Sequence, residues 1–209
     1  MQPGRTLVFL LAFVPLLALV SCGGSRYQTV TVPPRVDLAS FERVGLVLFT
    51  VENADPALGQ HATQRFAQHL LNAQWGYELL ELGAHPVGED GPARSALARA
   101  LGEEHGLGAV VLGELEVSDV RPRASLTRGP RIAADVSVQL TVRMLAGGSG
   151  GTLWTQSSRI RDTLAEVSIV GGGIAVGADD PEEVYGALVN RLLRNVTVDF
   201  RPTTRRVRR

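Results

Sequence analysis

The sequence predicts an α+β fold, a mixed sheet with a long antiparallel hairpin that is packed by about three helices. Three observations predict it. The run 43–49 is apolar on both faces, as the middle strand of a covered sheet must be. Val136, Val138, Leu140, Val142 and Met144 alternate with Ser137, Gln139, Thr141 and Arg143, the period of a half-buried strand. Around these runs lie three stretches whose apolar residues recur at helical spacing.

Taken in order, residues 26–38 are polar and extended. Thr29, Val30, Thr31 and Val32 favour strand and Pro33-Pro34 stops any helix, which predicts an edge strand or ordered linker. After the strand at 43–49, Asn53-Ala54-Asp55-Pro56 supplies a turn. A helix follows over 61–74, with Ala62, Phe66, Leu70 and Ala73 on one stripe and Arg65, Gln68 and Asn72 facing away, and Gly76 ends it. A short strand at 77–82 precedes a second helix at 92–105, which turns Leu97, Ala100 and Leu101 inward and takes Gly106 as its C-terminal cap.

The strand at 109–117 is apolar throughout its first half and alternates in its second, so it enters the sheet centre and emerges at the rim. The alternating strand reverses at Gly147-Gly148-Ser149-Gly150-Gly151 and returns over 152–161, placing Trp154 near the turn. A glycine-rich loop leads to the last helix. There Asp180 caps, Pro181 fits the first turn, Glu183 completes a capping box, and Val184, Leu188 and Leu192 are buried. Residues 196–200 and an arginine-rich tail close the chain.

The first residues point to export. Arg5 gives a positive start, and residues 7–20 are almost wholly apolar, about fourteen positions where a spanning helix needs roughly twenty. Leu19-Val20-Ser21-Cys22 ends that run with a small residue and the only cysteine of the 209-residue chain. This resembles the lipobox of bacterial lipoproteins. The resemblance implies cleavage before Cys22 and acylation of its sulfur, with palmitate-like chains that hold a protein at a bilayer. Gly23-Gly24-Ser25 then reads as a flexible tether. Gly23, where inner-membrane retention takes Asp, implies the outer membrane with the domain facing the periplasm. The organisation expected is a signal peptide at 1–21, a lipidated cysteine with tether and edge segment at 22–42, one domain at 43–200 and the tail at 201–209.

The ordered pieces resemble the curli-secretion lipoprotein, or CsgG-like, family, which includes periplasmic activators of peptidoglycan synthases. The matching residues are 44–49, the helix before Gly76-Tyr77-Glu78-Leu79-Leu80-Glu81, Leu107-Gly108-Ala109-Val110-Val111-Leu112-Gly113-Glu114, and 134–142 with Gly151-Thr152-Leu153-Trp154. In the curli channel two insertions per subunit span the membrane as hairpins. Their counterparts would be 118–133 and 162–179, each several residues short of two spanning strands. The first also carries Pro122, Pro130, Arg121, Arg123, Arg128 and Arg131, which are costly on a lipid-facing wall. Both segments are therefore expected as periplasmic loops, and the resemblance speaks for fold and anchor, not for a pore.

Formal net charge is zero, with arginine and no lysine among the basic residues, so no bulk field draws the chain to nucleic acid. Residues 171–177 are glycine-rich, yet no helix starts at once behind them, so a loop is expected and not a phosphate cradle. His61, His69, His85 and His105 lack convincing ligand partners and read as solvated helix or turn positions. With no nucleophile elbow, no lysine and the cysteine given to lipid, no catalytic residue, metal or cofactor is expected.

Arg121, Arg123, Arg128 and Arg131 are the candidate partner-binding residues, able to clamp a carboxylate or phosphate, though a solvated loop is the competing reading. Arg205, Arg206, Arg208 and Arg209 pose the same choice against a disordered end. The function expected is a non-catalytic assembly or accessory component of an envelope complex. Its partners would be the membrane, through lipid, and envelope proteins, homo-oligomers included. The alternatives are a ring-forming secretion subunit or a regulator of a cell-wall synthase, the latter limited by a tether of roughly 70 Å at full extension.

Overall fold

The structure is a computed structural model that describes residues 27–88, 90–125, 131–165, 167–170, 173–176 and 181–208. The leader, Cys22, Arg128, Asp180 and Arg209 lie outside the described residues. The chain divides into two compact units, Met1–Val32 with Thr203–Arg209, and Pro33–Pro202.

The described part of the first unit is a two-stranded antiparallel ribbon of β1 (Tyr27–Val32) and β10 (Thr203–Arg208). Tyr27 stands opposite Arg208 and Val32 opposite Thr203. Threonines and valines make both segments strand-formers. The arginine-rich tail, weighed above as a disordered end, is therefore strand.

The second unit holds β2 (Arg43–Val47), β3 (Thr50–Glu52), α1 (Ala57–Ala73), β4 (Glu78–Gly83), α2 (Gly91–His105), β5 (Ala109–Ser125), β6 (Arg131–Ala146), β7 (Thr152–Ala165) and α3 (Pro181–Val196). The sheet runs β4-β2-β5-β6-β7, with β3 continuing beside β5. The helical crossovers α1 and α2 let β2 lie parallel to both β4 and β5, while β5, β6 and β7 are antiparallel. This is the α+β architecture expected, with three helices and a mixed sheet.

Alternation in the strands sends side chains to two cores. Val44, Leu46, Ala109, Val111, Leu115, Val138, Leu140 and Val142 meet Leu58, Ala62, Phe66 and Leu70 of α1 and Leu188, Val189, Leu192 and Leu193 of α3. On the opposite side Val47, Val110, Leu112 and Leu145 meet Ala98 and Leu101 of α2. Ala98 takes the inward place expected of Ala100, which is exposed. Alanines on either side of Leu97 leave the buried stripe of that helix ambiguous by about one position.

Local chemistry sets the helix ends. The Asp90 carboxylate accepts from the Ala93 amide at 2.7 Å, Pro92 sits in the first turn, and Gly106 closes α2 in the left-handed conformation with φ 63°. Helix α1 begins at Ala57, earlier than its apolar stripe, because Asp55 accepts from the Ala57 amide at 2.8 Å. One aromatic residue demands two glycines nearby. A Cβ on Gly59 would stand 2.4 Å from the Phe49 carbonyl oxygen, and one on Gly113 would stand 2.4 Å from the Phe49 ring.

In two segments expected as loops the described residues form strands instead. β5 runs through to Ser125 and β6 starts at Arg131, with Arg121 opposite Asp135 and Arg123 opposite Ala133 after a bulge that follows Ser118. β7 continues to Ala165, opposite Ala133. Beyond it β8 (Val167–Val170) and β9 (Gly173–Val176) form a hairpin of their own, where a glycine-rich loop was expected. Beyond Glu116 no described strand pairs with β5 on the β3 side, so a proline there lies on an edge strand, the place where a missing donor is tolerated. Among the described residues no helix is long and apolar enough to cross a membrane, which says nothing of a β-barrel.

The Tyr77 hydroxyl is buried and has no hydrogen-bond partner among the described residues, and burial pushes its pKa up to about 12. An unsatisfied buried hydroxyl costs about 1–3 kcal/mol. Tyr77→Phe is therefore expected to leave stability unchanged or to raise it by up to about 1 kcal/mol in urea titration; a clear loss would reveal a partner for the hydroxyl.

Candidate functional site

Three groupings stand out. The first is the arm formed by the outer ends of β5, β6 and β7. Its ladder brings Arg121, Arg123 and Arg131 onto one ribbon, with Arg131 opposite Ser125. Three of the four sequence-predicted arginines thus lie on paired strands in place of a loop, Arg121 and Arg123 where β7 still flanks β6 and Arg131 beyond it. Arg128 lies outside the described residues.

The second is an ionic bridge on the α2 side of the sheet. Glu114 of β5 accepts from Arg94 of α2 at 3.4 Å and from Arg143 of β6 at 2.7 Å. Arg94 also donates to the Gly88 carbonyl at 3.1 Å. Helix, strand and loop are thereby held at one partly buried carboxylate, which reads as positioning of α2 over the sheet.

The third grouping was not legible in the sequence. Where α1 lies beside the chain leaving α3, His69, Asn72, Ala73, Arg201 and Pro202 line an open depression of about 510 Å³. The Arg201 Nη2 donates to His69 Nδ1 at 2.7 Å and to the Thr197 hydroxyl at 3.0 Å. Thr197 is fully buried and donates in turn to the Leu193 carbonyl at 2.7 Å, so the guanidinium is positioned from the last turn of α3. Burial first, then Arg201, Arg194 and Arg65, lower the His69 pKa below its ordinary 6.5. The ring is neutral at pH 7, accepts at Nδ1 and keeps its proton on Nε2. His69, expected as a solvated helix position, is therefore a positioned hydrogen-bonding group. Of the others, His85 Nε2 meets the Leu82 carbonyl at 3.1 Å and His105 lies 3.7 Å from Glu104.

Sequence reasoning also passed over Trp75. It follows the C-cap residue Gln74, whose side chain turns inward, and stands 89% exposed. Leu71 of α1 is exposed as well. A tryptophan left in water after a helix end is a residue free for a partner.

No family model matches the chain, and no curated protein matches it. Among solved structures the chain is similar to the PelC dodecamer from Paraburkholderia phytofirmans. That likeness has 14% identity and a TM-score of 0.47, over 84% of this chain and 98% of that one. It is also similar to lipoprotein GNA1162 from Neisseria meningitidis, with 13% identity and a TM-score of 0.40 over 74% and 97% of the two chains. A third is the LpoB C-terminal domain from Salmonella enterica, with 13% identity and a TM-score of 0.34 over 59% of this chain and 92% of that one. At these identities and TM-scores the likenesses carry no argument about function.

Proposed function

We propose that this chain is a lipid-anchored envelope protein that works by binding and not by catalysis, as an assembly or accessory component of a larger complex at the periplasmic face of the outer membrane. The anchor rests on Leu19-Val20-Ser21-Cys22 behind a short apolar leader. The binding role rests on the arm, where β5 and β6 stay paired out to Ser125 and Arg131, well past Val117 and Val136. Beyond Ala133 and Ala165 the arm narrows to the β5–β6 pair that carries Arg131, and a two-stranded end gains little stability by itself in water, which supports a surface that receives it. Its arginines would meet carboxylates or phosphates there.

One observation favours a ring of copies as the second reading. β7 and β4 are the two edges of the sheet, and β7 offers fourteen residues along its outer side. Edge strands at opposite ends of one sheet permit head-to-tail pairing, which closes into rings.

Cys22→Ala tests the anchor. The parent is expected in the membrane fraction of its host with an acyl mass on the mature N-terminus, and the variant in the soluble fraction. A variant that stays with the membrane at parental level would overturn the lipid reading. Light scattering on the detergent-extracted parent separates the two binding readings, because only the second gives one closed multiple of the chain mass.

A further inference from the structure

We propose that the depression between α1 and Arg201 is a binding site for a phosphate group. Three of the five residues that line it can donate a hydrogen bond, through the Nε2–H of neutral His69, the Asn72 amide and the Arg201 guanidinium, and the other two are Ala73 and Pro202. Arg201 uses Nη2 on His69 and Thr197, and among the described residues nothing occupies its Nε or Nη1. A guanidinium held by two partners at one nitrogen offers the rest of its fork ready-placed, which matches phosphate oxygens in pairs.

The local charge points the same way. Arg65 on α1, Arg194 on α3 and Arg201 behind it all act on His69, and among the described residues no carboxylate does. The acid nearest in sequence, Asp199, is engaged elsewhere, accepting from Trp154 Nε1 at 3.1 Å and Arg35 at 3.3 Å. Helix α1 contains no Asp or Glu along its whole length. A chain of zero formal charge therefore carries a concentrated positive spot at a concave place. A carboxylate also answers the charge, but its two oxygens and their lone pairs lie in one plane, whereas donors carried by two different chain segments suit oxygens that point apart in three dimensions, so the tetrahedral anion is the better fit.

The phosphate belongs either to a lipid headgroup or to free phosphate, and one titration distinguishes them. The full chain, labelled with ¹³C at its histidine rings, is titrated with inorganic phosphate and separately with glycerol phosphate at constant ionic strength. Chloride serves as the reference anion. A saturable shift of the His69 ring signal is expected, with the pH midpoint of that signal rising as the anion favours the imidazolium. Tighter binding of glycerol phosphate assigns the site to a headgroup, and tighter binding of inorganic phosphate assigns it to the free ion. Arg201→Gln is expected to weaken binding by at least about tenfold. Asn72→Ala, at an exposed helix position, is expected to weaken it several-fold with the fold intact. A His69 signal that follows ionic strength alone, or variants that titrate like the parent, would overturn the proposal.

Discussion

Replacing Gln74 by alanine is expected to destabilise the second unit by about 3 kcal/mol, more than any other single polar substitution in it. The Gln74 side chain is buried and bridges three backbone groups. Its Oε1 accepts from the Leu38 amide at 2.7 Å, and its Nε2 donates to the Val36 carbonyl at 2.6 Å and to the Phe200 carbonyl at 2.8 Å. Truncation strands a buried donor and two acceptors at once. Gln74→Glu is expected to fail as a rescue, because a carboxylate would face two carbonyl oxygens. Urea titration followed by far-UV circular dichroism checks both, and a loss under about 1 kcal/mol for the alanine variant would mean that water takes over the amide's role.

The second large effect is Phe66→Ala, expected to cost about 3–5 kcal/mol. Phe66 is fully buried at the centre of an aromatic chain. Its ring lies 5.3 Å from Phe49 and 6.4 Å from Phe200, and Phe200 meets Trp154 edge-on at 4.7 Å. Removing it opens a cavity between α1, the sheet and the end of α3, and it deprives Phe49 of a tilted ring partner and Phe200 of an edge-on one. Phe66→Leu should recover more than half of the loss. Trp75→Ala is the contrasting control, expected within about 0.5 kcal/mol of the parent because that side chain touches mainly solvent. An alanine at 66 that behaves like the alanine at 75 would contradict the core assignment.

What could be read ahead of the structure follows the length of each physical signal. The strands at 43–47, 109–117 and 136–144 announce themselves because burial imposes a period on several consecutive residues, and the three helices do so through their stripes. The outer half of β5 did not, since Arg121, Pro122 and Arg123 argue against strand while the ladder to Asp135 and Ala133 overrides them. Propensity is a local statement, and pairing is not. The ribbon of β1 and β10 was hidden for the same reason, its partners lying at opposite ends of the sequence.

The candidate site was less legible still. Arg201 and His69 are separated by 132 positions, and neither belongs to a spaced motif. Gln74 looked like the polar end of a helix, and nothing in the residues around it says that its amide would turn inward. A short polar side chain acquires such roles from backbone groups that the fold delivers, which leave no trace in composition or spacing. The arginines of the arm were expected on a loop, whereas the described ones, Arg121, Arg123 and Arg131, lie on paired strands.

The ribbon has a practical corollary. Because its strands run in opposite directions, Tyr27, two residues after the tether, and Arg208, the residue before the final arginine, sit side by side. Only five peptide units separate Tyr27 from Cys22, a reach of at most about 18 Å. If Cys22 carries the proposed lipid, a fluorescent reporter fused behind Arg209 would be crowded onto the surface that holds it, and its brightness and accessibility to antibodies would report that surface before they reported the rest of the molecule.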